Sequence, residues 1–257
     1  MADILHETRG AVAWTTLNRP QARNAMTFAM YEGLVEQSKR VTEDAAIRAW
    51  VITGGPEAFA AGTDIDQFRA FTTAQDALDY ETRIDRVLSS IEDCPKPVIA
   101  AIAGACIGGG LGIAGVSDLR IAAKNARFGL PIARTLGNCL SMANYSRFAA
   151  LIGPARVKEL VFTARLINAD EALALGLVSE LLDTPEALLE RASALAESIA
   201  GLAPRTLTAT KVALKRLRLA AGEIHGDDLV AMCFDSDDFR EGVAAFLGKR
   251  KPVWTGK

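Results

Sequence analysis

The chain is poor in the residues on which several classes of chemistry depend. It holds two histidines, His6 and His225, neither of which stands near a serine or cysteine motif, and no G-x-S-x-G occurs. A nucleophile-elbow hydrolase is therefore excluded, and both histidines read as ordinary surface or packing residues. The four cysteines, Cys94, Cys106, Cys139 and Cys233, are widely spaced, with no CxxC pair and no metal-ligand spacing. They read as reduced thiols of a cytoplasmic protein, with no metal implied. Excess charge is lacking too. A net charge of −2 and a pI near 5.8 imply no global attraction to nucleic acid or to a membrane. The N-terminal residues lack the basic-then-apolar order of a secretory signal. The long apolar stretch from Val98 to Val116 is interrupted by glycine and alanine, so it reads as core rather than as a membrane span.

What is present is hydrophobic content of 50% over 257 residues, enough for a sizeable core in one large domain or a domain with an appendage. The chain is organised around Lys96–Gly115. Pro97 opens a run of Val, Ile and Ala that is apolar on both faces, the pattern of a strand buried in a packed sheet. A glycine cluster and an apolar, helix-like segment follow. Glycines at a strand-to-helix junction let backbone approach a ligand closely, and the free N–H groups of the helix start point at negative charge. A tightly packed strand–helix crossing without a ligand is the bland alternative. Gly110-Leu111-Gly112-Ile113-Ala114-Gly115 fits the dinucleotide fingerprint G-x-G-x-x-G, but that motif needs a full helix and then an acidic residue about 20 positions on. The next strand-like run begins at Asp118, and Phe128–Ala133 holds no acid. An oxyanion site, with backbone N–H groups aimed at a developing negative oxygen, is the competing reading; it needs a second donor from elsewhere.

Along the chain, Val12–Leu17 is β-rich and ends at Asn18-Arg19-Pro20. Thr27–Val41 has helical spacing, and Ala49–Thr53 is a buried strand closed by Gly54-Gly55-Pro56. Small residues from Phe59 to Ile65 mark a turn, and Gln75–Ile91 reads as a helix with its charges on an outer face. Asp118–Ala122 is a strand. Ser141–Leu151, Arg156–Thr163 and Asn168–Leu175 are helices, the last opened by a capping-box-like Asn168 and Glu171. Val178–Leu181 is a final strand, and only helical patterns follow Pro185. Recurring strand–loop–helix units predict an α/β fold. Gly201 and Pro204 punctuate a boundary near residues 195–204.

These pieces resemble the crotonase superfamily, the enoyl-CoA hydratase/isomerase family, over nearly the whole chain. Leu17-Asn18-Arg19-Pro20 with Asn24-Ala25 is similar to its first signature, and Phe59–Ile65 to its first oxyanion loop. Lys96–Ala101 through Gly108-Gly109-Gly110 resembles the second loop. Ser117–Ala122, Ala126–Gly129 and Phe239–Gly242 with Ala245-Phe246 and Lys249-Arg250 follow in order. The resemblance implies a core of stacked ββα turns over residues 1–195 and a C-terminal helical trimerisation region over 196–257, giving trimers or hexamers. It implies an acyl-CoA thioester as substrate and no permanently bound cofactor, coenzyme A entering as part of the substrate. The backbone N–H groups of Thr63 and Gly109 would hold the thioester oxygen. Ala25, Ala61, Gly62, Asp64 and Ile65 match positions around the CoA groove, with Asp64 expected to cap the turn. Phe246 and Lys249 match positions that reach a neighbouring subunit's CoA.

The departure from the family pattern is equally informative. Hydratases of this family use two glutamates to hold and activate water. The first should stand two residues after the glycine triplet, where this chain has Gly112. The second should follow Pro131, where it has Ile132 or Ala133, the register being open by one residue. General acid–base groups each contribute roughly 10²–10⁴ in rate. Ordinary hydration is therefore expected to be very slow, and the family lyase or isomerase reaction stays open. Asp66, Gln67, Arg134, Asn138, Cys139 and Ser141 are the remaining polar residues near these loops. Arg134 is the expected partner for a second carboxylate on the acyl group. That pattern suits a malonyl-type thioester, which loses CO₂ to give an enolate without a side-chain base. A CoA-thioester-binding protein without turnover is the alternative from another class.

Overall fold

A hydrophobic run read on both faces and the helices between such runs build the molecule turn by turn. In the computed structural model, residues 2–220 and 226–255 are described; His225 lies outside them. The first part of the chain gives β1 (Ile4–Arg9), β2 (Val12–Leu17) and α1 (Phe28–Glu43). Three ββα units follow: β3 (Ala49–Thr53), β4 (Ala58–Ala60) and α2 (Ala74–Glu92); β5 (Val98–Ile102), β6 (Ala105–Ile107) and α3 (Gly109–Val116); β7 (Leu119–Ala123), β8 (Arg127–Gly129) and the one-turn α4 (Ile132–Thr135). The chain continues through α5 (Met142–Ile152), α6 (Pro154–Thr163), β9 (Ile167–Asn168), α7 (Ala169–Ala174) and β10 (Glu180–Leu182). It closes with α8 (Pro185–Ala200), α9 (Pro204–Leu219), α10 (Asp227–Phe234) and α11 (Asp237–Leu247). No helix among the described residues is long and apolar enough to cross a membrane.

The first strand of each unit joins one sheet and the second joins another. The larger sheet has the order β1-β2-β3-β5-β7-β10, parallel except for the β1–β2 hairpin. The smaller runs β4-β6-β8-β9, with only β8–β9 antiparallel. The run after Pro97 is thus two strands in two sheets, where the sequence pattern suggested one. Gly104 makes the break. Its φ is +61°, and a Cβ there would stand 2.0 Å from the Glu57 carbonyl oxygen, so only glycine fits.

Strand alternation explains why β5 is apolar throughout. Val98, Ala100 and Ile102 join the main core with the buried faces of α1 and α2, while Ile99 and Ala101 face the other way, against Leu188, Ala192 and Ala196 of α8. Residue 195 itself lies inside α8, which packs along the larger sheet, and the α8–α9 connection at Gly201–Ala203 falls within the expected 195–204 interval. Helix α9 has no fully buried side chain; Leu207 packs half-buried against the core beneath the larger sheet, and polar contacts add to the tether, Lys211 to Asp118 at 2.5 Å and Arg218 to Glu92 at 2.5 Å. Two local expectations shift. The last strand begins at Glu180, and Ser179 N–H leads into it by bonding the Arg120 carbonyl of β7. Asn168 caps α7 at 2.9 Å, but the Glu171 carboxylate turns to Arg165 instead of completing a capping box.

Candidate active site

The site begins with an isolated parallel bridge between Met26 and Thr63. Met26 N–H donates to the Gly62 carbonyl at 2.8 Å, and the Met26 carbonyl accepts from Asp64 N–H at 2.9 Å. In such a bridge the opposite residue turns its own N–H the other way. Thr63 N–H accordingly has no acceptor among the described residues and faces the cavity. Gly109 is the first residue of α3, so its N–H lacks an intrahelical acceptor as well. The two backbones lie side by side: a Cβ on Gly109 would be 3.5 Å from the Thr63 nitrogen and 2.2 Å from the Tyr31 hydroxyl. Glycine is required by that approach. Two adjacent unpaired N–H groups, one of them at a helix N-terminus, form a place for negative oxygen.

Above them opens a cavity of about 500 Å³. Ala25, Ala61, Gly62, Thr63, Asp64, Ile65, Gly109 and Phe246 all line it, as do Gly112 and Ile132. Phe246, matched to a position that serves a neighbouring subunit, stands on the rim of its own chain's cavity. Arg134 and Lys249 do not line it. Within the single turn of α4, Ile132 and Thr135 share the inward face, which leaves Arg134 exposed on the other side, as is Ala133. Lys249 follows the C-terminal cap of α11, at a left-handed φ of +50°.

Asn138 lines the cavity, its buried Oδ1 without a partner among the described residues, whereas most other polar candidates are engaged elsewhere. Asp64 caps a 3₁₀ turn over Ile65–Ala70, accepting from Asp66 N–H at 3.1 Å, and pairs with Arg19 at 2.5 Å. Asp66 is exposed and bonded to Arg69, and the Gln67 amide oxygen accepts from Phe28 N–H at 3.2 Å. Ser141 caps α5 and gives its hydroxyl to Asp85 at 2.9 Å. Cys139 is buried and bonds the Leu229 carbonyl at 3.4 Å. His6 lies in β1, its Nδ1 3.1 Å from the Thr15 hydroxyl.

The Thr63 side chain is not idle. Its hydroxyl lies 2.9 Å from the Tyr31 hydroxyl and 2.8 Å from that of Tyr80. Tyr31 is fully buried and Thr63 is its partner among the described residues, so the three hydroxyls form one chain, Tyr31–Thr63–Tyr80, that ends at the cavity wall.

The sequence reading missed Glu81. Ala77, Glu81, Ile84, Leu88 and Ile91 form the buried stripe of α2, and Glu81, Ile84 and Leu88 line the cavity. Glu81 is 7% exposed. Its Oε2 accepts from Ser141 N–H at 3.2 Å, and Oε1 has no hydrogen-bond partner among the described residues. Burial, then the nearby Asp85 carboxylate, pushes its pKa up to about 8, against the smaller opposing effect of the Ser141 N–H. Glu81 therefore rests as a neutral carboxyl near pH 7. The signal was available: it is the one acid at a core spacing of the helix. Leu136, Leu140 and Phe148 share the wall with Asn138 and Asn144, and Leu88 covers the face where Gly112 lacks a side chain, 3.3 Å from a Cβ there.

Comparison with known proteins fits this geometry. A family model described as enoyl-CoA hydratase/isomerase matches residues 7–257. Crotonyl-CoA hydratase of Syntrophomonas wolfei is 35% identical, over 99% of this chain and 98% of its own. (E)-Benzylidenesuccinyl-CoA hydratase of Thauera aromatica is 37% identical, over 97% and 98%. Among solved structures, a methylmalonyl-CoA decarboxylase in complex with 2-nitronate-propionyl-CoA superposes with a TM-score of 0.90 at 28% identity, covering 100% of this chain and 99% of that one. The chain belongs to the enoyl-CoA hydratase/isomerase family of the crotonase superfamily.

Proposed function

We propose that this protein binds an acyl-CoA thioester and acts on it through its enolate, with Thr63 N–H and Gly109 N–H holding the thioester oxygen. The observation that carries this reading is the pair of adjacent, unpaired backbone donors at the floor of an apolar cavity. Each such donor is worth about two to three orders of magnitude in rate. Ordinary hydration is expected to be very slow, because Gly112, and Ile132 or Ala133, take the places of the two water-activating glutamates; Gly112 and Ile132 line the cavity. The helices beyond Pro204 join three copies, or six; the exposed Leu214, Leu217 and Leu219 of α9 support that assembly.

The test is an acyl-CoA panel assayed for turnover beside a direct binding measurement. Binding with turnover of at least one thioester supports the enzyme. Binding without turnover of any favours a CoA-thioester carrier, and no binding removes the proposal.

Malonyl-type decarboxylation is the second reading, favoured by the structural likeness to a methylmalonyl-CoA decarboxylase. Breaking the bond to the carboxylate releases CO₂ and leaves the electron pair as an enolate, which the two N–H groups stabilise; a proton then completes the carbon. Arg134 has no part in it, being exposed and away from the cavity wall.

A further inference from the structure

We propose that Glu81, delivered by α2, is the catalytic acid–base of this site, exchanging one proton with an acyl carbon next to the thioester. The inference rests on the proposed acyl-CoA reading and adds to it the proton-transfer group and the kind of acyl chain. Three observations place it. Glu81 is the only carboxylic acid on the cavity wall among the described residues apart from Asp64, and Asp64 is held by Arg19 and its own turn. One carboxyl oxygen is fixed by Ser141 N–H, which leaves the other for a ligand. Tyr80, the preceding residue on the same helix, is bonded to Thr63, so α2 ties the carboxyl to the oxyanion floor.

The step balances without a co-reactant. Ionised Glu81 takes a proton from the carbon next to the thioester carbonyl. The C–H electron pair moves to form the enolate, whose oxygen sits on Thr63 N–H and Gly109 N–H. The carboxyl then returns a proton, to the same carbon or, in an unsaturated chain, to the carbon two positions further along. Reaction at the same carbon is exchange; reaction at the further one is double-bond migration. A single carboxyl serves both. Water addition asks two groups to share a water, and the second place is taken by Ile132. Ile84, Leu88, Leu136, Leu140 and Phe148 surround the path, so the acyl chain is uncharged and apolar.

Other titrating groups face Glu81: Tyr31 from α1, Asp85 on its own helix (paired with Arg147 of α5), Cys139 from the loop before α5, Tyr145 from α5, and Cys233 from α10 beyond Cys139. Burial raises both tyrosines, and the hydrogen bond with Cys139 lowers Cys233 to about 7. Cys233 is thus the group whose titration must be told apart, and a Cys233→Ser variant does so.

The experiment measures deuterium uptake from D₂O at the carbon next to the thioester of butyryl-CoA and hexanoyl-CoA, by mass spectrometry, between pH 6 and 9. Binding of the same thioesters is measured by calorimetry. The wild type is expected to exchange, with a rate that rises to a plateau above pH 8 and keeps that shape in Cys233→Ser. Glu81→Gln should bind within a few-fold of wild type and exchange at least about 100-fold more slowly. Undiminished exchange in Glu81→Gln overturns the assignment, as does a flat pH profile in the unsubstituted protein or wild-type binding without any exchange. If neither thioester binds the wild type, the acyl-CoA reading itself fails and the assignment falls with it.

Discussion

Replacing Glu81 by Gln should change how stability depends on pH. In the unfolded chain this carboxyl titrates near 4.5; in the folded protein burial holds it protonated to about 8. Below pH 4.5 both states carry the proton and the group contributes no difference. Between pH 4.5 and 8 the unfolded chain releases it while the folded one keeps it, so stability falls as pH rises. Each pH unit in that window costs about 1.4 kcal/mol, so the whole window removes up to about 5 kcal/mol, a large part of an ordinary domain's stability. Asp85 acts in the same direction, since burial raises it too, against the opposing hydrogen bond from Ser141 and charge of Arg147. Glu81→Gln keeps the shape and the Ser141 contact but has no proton to lose. Urea unfolding at intervals from pH 5 to pH 9 should show the wild type weakening steadily and the variant weakening by several kcal/mol less, with a smaller slope left from Asp85. Parallel curves for the two proteins would refute the neutral, buried carboxyl.

Further expectations follow from the same geometry. Gly109→Pro deletes the N–H and should remove turnover, while Gly109→Ala puts a methyl 2.2 Å from the Tyr31 hydroxyl and should cost about 1–3 kcal/mol in thermal or urea unfolding. Thr63→Ala keeps its N–H but strands the Tyr31 and Tyr80 hydroxyls, so stability should fall by about 1–3 kcal/mol and kcat far less than in Gly109→Pro. Crotonyl-CoA hydration should run at least about 10³-fold below that of a family hydratase assayed alongside. Arg134→Ala should leave the relative affinities for malonyl-CoA and butyryl-CoA unchanged, because the side chain is exposed and off the cavity wall.

The buried strands were legible because a run such as Val98–Ile102 packs on both faces and has no room for polar residues. The alternation of such runs with helices gave the ββα turns, and the small residues around Thr63 and Gly109 marked places where backbone approaches backbone. Other features needed the third dimension. Whether Arg134 points inward is decided by the rotation of a four-residue helix, which neighbouring residues do not encode. Glu81 sits among Asp76, Asp79, Arg83, Asp85 and Arg86, so its helix reads as charged on the outside. Only the packing of α2 against α10 and the Ser141 loop turns that one acid inward. The spacing of Ala77, Glu81, Ile84, Leu88 and Ile91 was nevertheless in plain view, and a charge at a core spacing is a signal to follow.

The most direct test of the oxyanion assignment is the infrared spectrum of a bound thioester labelled with ¹³C at its carbonyl. Two N–H groups aimed at the oxygen polarise the C=O bond. With butyryl-CoA on the wild-type protein, the carbonyl band should move to lower frequency than in water, and the shift should be lost in any Gly109→Pro protein that still binds. A bound thioester whose carbonyl band stays at its position in water would contradict the placement of Thr63 and Gly109 at the reacting oxygen.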